Sequence, residues 1–301
     1  VDMGAEPSGN IFARIPKVEN FSFAANTTYG CGGCARRAYF PRTEEEACRL
    51  FSALSECGEK FVVLGNGSNV LAQDGLYDGA VVSTKNLKKI SLVSRSQALL
   101  YCGSGVTVAE LLNFCTANGL GGAEFTAGIP ATLGGLVYMN GGAGGGWIGD
   151  IVNSVRIFDG KLRVLSQEEC NFSYKHSTMR DINSIILGVN LQLTHLNAAT
   201  IQKNIKDRLL ARSAVPSGKS CGCVFKNYFG VSAGSIIESA GLKGKRIGNA
   251  VVSEKHCNFI LNCGGKKSSD IYALINFVKD EVYKKFGVTL EEEVCYIGDF
   301  K

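Results

Sequence analysis

Two kinds of apolar pattern alternate along this chain: residues spaced three and four apart, and short unbroken runs. Behind Thr43-Glu44-Glu45-Glu46, the residues Ala47, Leu50, Phe51 and Leu54 share one face of a helix that should close near Gly58. The run Phe61-Val62-Val63-Leu64 predicts a strand, as do Ala80-Val81-Val82 and Leu99-Leu100-Tyr101-Cys102. Thr107-Val108-Ala109-Glu110 has capping-box spacing and opens a helix that ends near Gly119. From Val152 to Leu196 strands dominate: Val155 to Phe158, a turn at Asp159-Gly160, Leu162 to Leu165, then Ile185 to Leu193.

A polar helix near Thr200 to Arg212 stops before Pro216 and marks a boundary. Beyond it the pattern predicts a short helix around Ser235 to Ser239 and a strand from His256 to Asn262. A long helix from Asp270 to Phe286 follows, striped by Ile271, Leu274, Phe277, Val278 and Val282, and a last strand covers Leu290 to Ile297. No internal repeat or low-complexity tract interrupts the series, so the fold class is α+β with at least two domains.

Composition narrows the function. Of 301 residues 45% are hydrophobic and 20% charged, which supplies packed cores and excludes a disordered chain. The net charge of +5 comes from scattered Lys and Arg; it suits a phosphate-bearing small molecule and gives no nucleic-acid surface. No apolar stretch approaches the ~20 residues that cross a bilayer, so no membrane partner is expected. Val1-Asp2-Met3-Gly4 is not a secretory signal, and Met3 is the expected natural start. The 12 Cys lie mostly in apolar runs such as Phe114-Cys115, the pattern of free buried thiols in a reducing cytosol.

Two glycine-rich loops beside strands hold the candidate chemistry. Gly65-Asn66-Gly67-Ser68-Asn69 follows the Phe61–Leu64 run; Gly128-Ile129-Pro130-Ala131-Thr132-Leu133-Gly134-Gly135 leads into Asn140-Gly141-Gly142. Glycines let backbone N–H groups approach a diphosphate; either loop alone reads more readily as a turn, and two long ones beside strands bring the two readings level. No dinucleotide fingerprint is read, so a Rossmann site is not expected. Gly218-Lys219-Ser220 resembles the tail of a P-loop, but Ser213 stands where its first Gly belongs. Cys31-Gly32-Gly33-Cys34 and Cys221-Gly222-Cys223 offer four thiolates, yet Cys-x-Cys is not a usual zinc pair, and no metal is expected. A third polar group runs from Ser220 to Asn227, with Ser253-Glu254-Lys255-His256 downstream. It combines a thiol, amines and amides suited to protonating an anionic enol.

In this order, five pieces resemble the UDP-N-acetylenolpyruvylglucosamine reductase family, from about Asn20 to Gly298. They are Gly65 to Asn69, the Gly128 to Gly135 loop with Asn140, Val224-Phe225-Lys226-Asn227, Val252 to Phe259, and Glu293-Val294 with Ile297-Gly298. The compact link from Val155 to Leu196 resembles the branch lacking an extra substrate-capping loop. The resemblance implies a two-part FAD-binding domain of the vanillyl-alcohol oxidase/p-cresol methylhydroxylase type plus a smaller α+β substrate-binding domain. Residues 1–86 and 87–199 would form the two FAD-binding parts, and 200–301 the substrate part, with its last strand returning toward the flavin. FAD would be held non-covalently by Gly65, Asn66, Gly67, Ser68, Asn69, Gly128, Ile129, Pro130, Thr132, Gly134 and Gly135.

It further implies NADPH as hydride donor and a UDP-sugar substrate, reduced to UDP-N-acetylmuramate for peptidoglycan synthesis in the cytoplasm. Catalytic roles fall on Cys223, where the family usually has Ser, on Glu293, and on Lys175, in the place of an Arg. Tyr174, Lys226, Asn227, Ser253 and His256 would bind substrate. Ala131, Gly144, Trp147 and Gly30 depart from the family pattern. A flavin oxidase of the same fold, or a member that binds UDP-sugars without reducing them, would be the alternatives. A monomer or weak homo-oligomer is expected.

Overall fold

The structure is a computed structural model that describes residues 11–300, so the Met3 start lies outside the described residues. Its chain packs as two units. One takes residues up to Glu19, Arg37–Gly65 and Gly79–Leu210; the other takes Asn20–Arg36, Asn66–Asp78 and the chain from Ala211.

In the first unit the Glu44–Glu56 helix starts where its pattern places it, with Thr43 Oγ1 accepting from the Glu46 N–H at 3.1 Å. Its apolar face buries Leu50, Phe51 and Leu54 against Tyr39, Val82, Ile185 and Leu187. Strand Phe61–Leu64 pairs in parallel with Ala80–Ser83, Phe61 opposite Ala80, so both strands end on the side where Gly65 begins. A five-stranded antiparallel sheet runs in the order Leu162–Ser166, Val152–Phe158, Ile185–Gln192, Leu99–Gly103, Ile90–Ser94. One face of it packs on the Val108–Asn118 helix, whose capping box joins Thr107 and Glu110 and whose end turns left-handed at Gly119.

The second unit centres on the Ser269–Phe286 helix. Its Ile271, Leu274, Val278 and Val282 pack on the Ala250–Val252 and Ile260–Asn262 strands and on the Ala233–Ser239 helix. Tyr29, Cys31 and Leu71 join this core from early in the chain. The Cys295–Ile297 strand lies parallel to Val70–Ala72, with Cys295 opposite Val70.

Several boundaries differ from the sequence expectation. The strand expected at His256–Asn262 covers only Ile260–Asn262, because Ser253 Oγ accepts from Lys255 N (3.1 Å) and His256 N (3.4 Å) and folds the preceding residues into a turn. The last strand is Cys295–Ile297; ahead of it Glu292 makes only an isolated bridge to Phe225. A helix, Leu133–Met139, begins inside the second glycine loop. Strands Lys17–Ser22 and Cys34–Tyr39 carry too many charges to show an apolar run. Gly144, Gly146 and Gly149 do stand at Gly-x-Gly-x-x-Gly spacing. They occupy a hairpin turn, the short strand after it and a 3-10 turn, not a strand-to-helix junction, so no Rossmann site follows.

Candidate active site

The second glycine loop packs unusually close to its neighbours. Ile129 N donates to Thr126 O (3.0 Å) and Ala131 N to Ile129 O (2.9 Å), closing two tight turns around Pro130. Gly134 N donates to Ser104 O at 2.9 Å, and a Cβ at Gly134 would sit 2.8 Å from Ser104 Cβ. Likewise a Cβ at Gly65 would stand 2.4 Å from Thr132 Oγ1. Glycine is therefore required for this approach. The hydroxyls of Ser104 and Thr132 are buried with no hydrogen-bond partner among the described residues. A buried hydroxyl without a partner is costly, so a pair of them beside the glycine loops is suited to a polar group bound there.

Elsewhere in the first unit a two-residue turn, with Ser173 and His176 exchanging backbone bonds of 3.1 and 3.2 Å, carries Tyr174 and Lys175 at its tip. Asn140, left-handed at φ 43°, ties this turn down: its Nδ2 donates to Ser173 O (2.8 Å) while its Oδ1 accepts from Gly149 N (3.0 Å). Asn140, Trp147, Phe172 and Tyr174 line a cavity of about 580 Å³.

In the second unit Cys223 leads into a segment held from two sides. Asn258, buried, acts as a strand would: its Oδ1 accepts from Phe225 N (2.9 Å) and its Nδ2 donates to Phe225 O (2.8 Å). From the other side Glu293 N donates to Val224 O (2.7 Å) and Lys226 N to Glu291 O (2.8 Å). Asn69 of the first glycine loop fixes the Glu293 backbone, its Nδ2 donating to the carbonyl at 3.0 Å. Gly67 is left-handed at φ 66°, and a Cβ there would meet Asn26 O at 2.6 Å.

Burial pushes the Cys221 thiol up to about 12, and both Glu293 and Cys223 are near enough to add to it. Lys226 Nζ pairs with Glu291, Asn227 Oδ1 accepts from Ala233 N (3.1 Å), and His256 Nδ1 accepts from Asn258 N (3.2 Å). Glu293 and Lys226 thus share one short ladder, Cys223 and Asn227 adjoin it in sequence, and Ser253 and His256 are joined to it through Asn258.

Residues 214–297 match the family described as UDP-N-acetylenolpyruvoylglucosamine reductase, C-terminal domain, and residues 35–166 match an FAD binding domain. The UDP-N-acetylenolpyruvoylglucosamine reductase of Moorella thermoacetica is 36% identical over 290 residues, 95% of each chain. That of Caldicellulosiruptor saccharolyticus is 36% identical over 281 residues, 91% of this chain and 90% of that one. The chain belongs to the UDP-N-acetylenolpyruvoylglucosamine reductase family. A crystal structure of the reductase from Thermus caldophilus superposes with a TM-score of 0.80 at 32% identity, covering 95% of this chain and 99% of that one.

With the family established, the unsatisfied Ser104 and Thr132 hydroxyls beside the glycine loops fit a cofactor with a polar phosphate and ribityl chain. Among the described residues no cluster of three or more His, Cys, Asp or Glu is arranged to hold a metal ion. Sequence reasoning missed Ser104, which lies outside both glycine loops. It missed Asn258 as the clamp on Phe225, although the Val252 to Phe259 piece contains it. It read Arg212 only as a helix end; Arg212 lies close to Cys223, and burial lowers its guanidinium pKa while Cys223 opposes that fall.

Proposed function

We propose that this chain reduces UDP-N-acetylenolpyruvylglucosamine to UDP-N-acetylmuramate in peptidoglycan precursor synthesis, using FAD and NADPH. The observation that carries this reading is end-to-end similarity to reductases of that name, at 36% identity over 95% of both chains. FAD, when bound, supplies hydride transfer from NADPH to the vinyl carbon of the enolpyruvyl ether. Gly65 to Asn69 and Gly128 to Gly135, with Ser104, would hold it non-covalently.

The net reaction adds one hydride and one proton across a C=C bond, and the side chains supply the proton and the charge control. Cys223 is the proposed donor: its thiol gives a proton to the carbon next to the one that gains hydride. Lys175 is the proposed point charge that stabilises the intervening enolate. Glu293 is the proposed acidic group beside the substrate carboxylate. Tyr174, Lys226, Asn227, Ser253 and His256 would orient the UDP-sugar.

Residues 1–86 and 87–199 would serve FAD, and 200–301 the substrate. We place the enzyme in the cytoplasm as a monomer or weak homo-oligomer that engages neither nucleic acid nor membrane. Seven of its cysteines are buried thiols, and no helix among the described residues is long and apolar enough to cross a membrane. An anaerobic stopped-flow experiment tests the reading. NADPH should bleach the flavin absorbance and the enolpyruvyl substrate should restore it, with FAD released on denaturation. A sample that holds no flavin, or whose reduced flavin ignores the substrate, would refute it.

A further inference from the structure

Lysine is a poor choice for a fixed charge. Its ammonium is a compact point on a flexible stem, whereas a guanidinium is a planar fork. Lys175 nevertheless sits in constrained surroundings. Its backbone is left-handed at φ 57°, which a lysine rarely adopts, and its carbonyl accepts from Arg180 Nη1 at 2.8 Å. Arg180 in turn lies over the Tyr138 ring at 5.7 Å. The Lys175 ammonium stands 5.4 Å from the ring centroid of Trp147, and Tyr174 meets the same indole edge-on at 5.7 Å and 88°. Trp147 itself is anchored. Its backbone N–H donates to Asp150 Oδ2 (2.9 Å), its strand pairs with Gly142, and a Cβ at the preceding Gly146 would strike the Phe125 ring at 2.7 Å.

We infer that Trp147 is a positioning residue for Lys175: the indole face holds the ammonium where the reaction needs it. An aromatic face attracts a cation and limits its rotamers without neutralising its charge, as a carboxylate partner would. This separates Trp147 from a residue that merely fills the 580 Å³ cavity it lines. The role rests on the proposed function of Lys175 and makes that function depend on a second side chain.

Trp147 is the single tryptophan of the chain, so its fluorescence reports on the contact without turnover. In the holoenzyme, Lys175→Met should change the Trp147 emission, while Lys203→Met, on the exposed face of another helix, should not. Trp147→Leu should slow reoxidation of reduced flavin by the enolpyruvyl substrate by about 3- to 30-fold. It should leave flavin content and reduction by NADPH within about twofold. Trp147→Phe should recover most of the rate, because a ring face remains. In a Lys175→Met background the Trp147→Leu change should cost nothing more.

Equal slowing of both half-reactions, or an undiminished extra cost in that background, would make Trp147 a packing residue and overturn the inference. Unchanged emission in Lys175→Met, with its activity lost, would sink the contact alone. Full activity in Lys175→Met would sink the assignment of Lys175, and the positioning role with it.

Discussion

Cys221 and Cys223 are two residues apart and chemically unlike. Cys221 is buried, and burial drives its thiol up to about 12, so it stays protonated and inert at neutral pH. Cys223 is only half-buried, beside Arg212. An alkylating reagent should therefore modify exposed Cys57 and Cys263 harmlessly and Cys223 with loss of substrate reduction. Cys221 should be spared. Peptide mass mapping checks this, and Cys223→Ser should resist inactivation while still turning over. Inactivation that tracked another cysteine, with normal proton transfer in Cys223→Ala, would remove Cys223 as the acid. Glu293 calls for a different measurement. Glu293→Gln should slow flavin oxidation by substrate by ~10²–10⁴-fold and spare reduction by NADPH. Matching losses in both half-reactions would mark it as structural, through the ladder it shares with Val224.

At the scale of elements, the Ser269–Phe286 helix has an unusual start. Its N-cap, Ser268, makes no side-chain cap bond; instead Asp74 accepts from Ser268 N (2.7 Å), Ser268 Oγ (3.0 Å) and Ser269 N (3.1 Å). Burial works against the Asp74 charge, but these donors outweigh it and hold the carboxyl below its ordinary value. The stabilisation is therefore complete above the unfolded pKa, about 3.9, and is lost as pH falls through the lower folded value. Asp74→Ala should cost about 0.5–1 kcal/mol at pH 7, a figure discounted for solvent screening of this exposed carboxylate, and the gap from the parent should be smaller at about pH 3. Denaturant unfolding at both pH values tests this, and a constant gap would rule the cap out. No local pattern reveals such a cap, because Asp74 lies 194 residues from Ser268. Signals that are local were legible: the Thr107–Glu110 box, the Gly119 stop and the one-faced Ala47 to Leu54 stripe all needed only neighbouring residues. The same split runs through the site. Glycine loops and the Val224 to Asn227 piece could be read directly, whereas Ser104, Asn258 and the Trp147–Lys175 pair depend on long-range packing.

For the molecule as a whole, neither unit is one continuous stretch. The core around the Ser269–Phe286 helix includes Tyr29, Cys31 and Leu71, and Asn262 Nδ2 donates to Tyr29 O at 2.8 Å. A fragment of residues 200–301, the proposed substrate part, should then fail to fold alone. Its circular dichroism on heating should show no cooperative transition, and a sharp one would mean the early segments are dispensable. Connectivity also sets a timetable. Asn69 bonds to Glu293 across 224 residues, and Val70–Ala72 receives its parallel partner only from Cys295–Ile297. At a ribosome's pace of about 5–20 residues per second, the first glycine loop waits roughly 11–45 s for that partner. A chain cut short near its end would lack Glu293 and the strand that completes this pairing together, so an unfinished product would carry an incomplete fold along with an incomplete site.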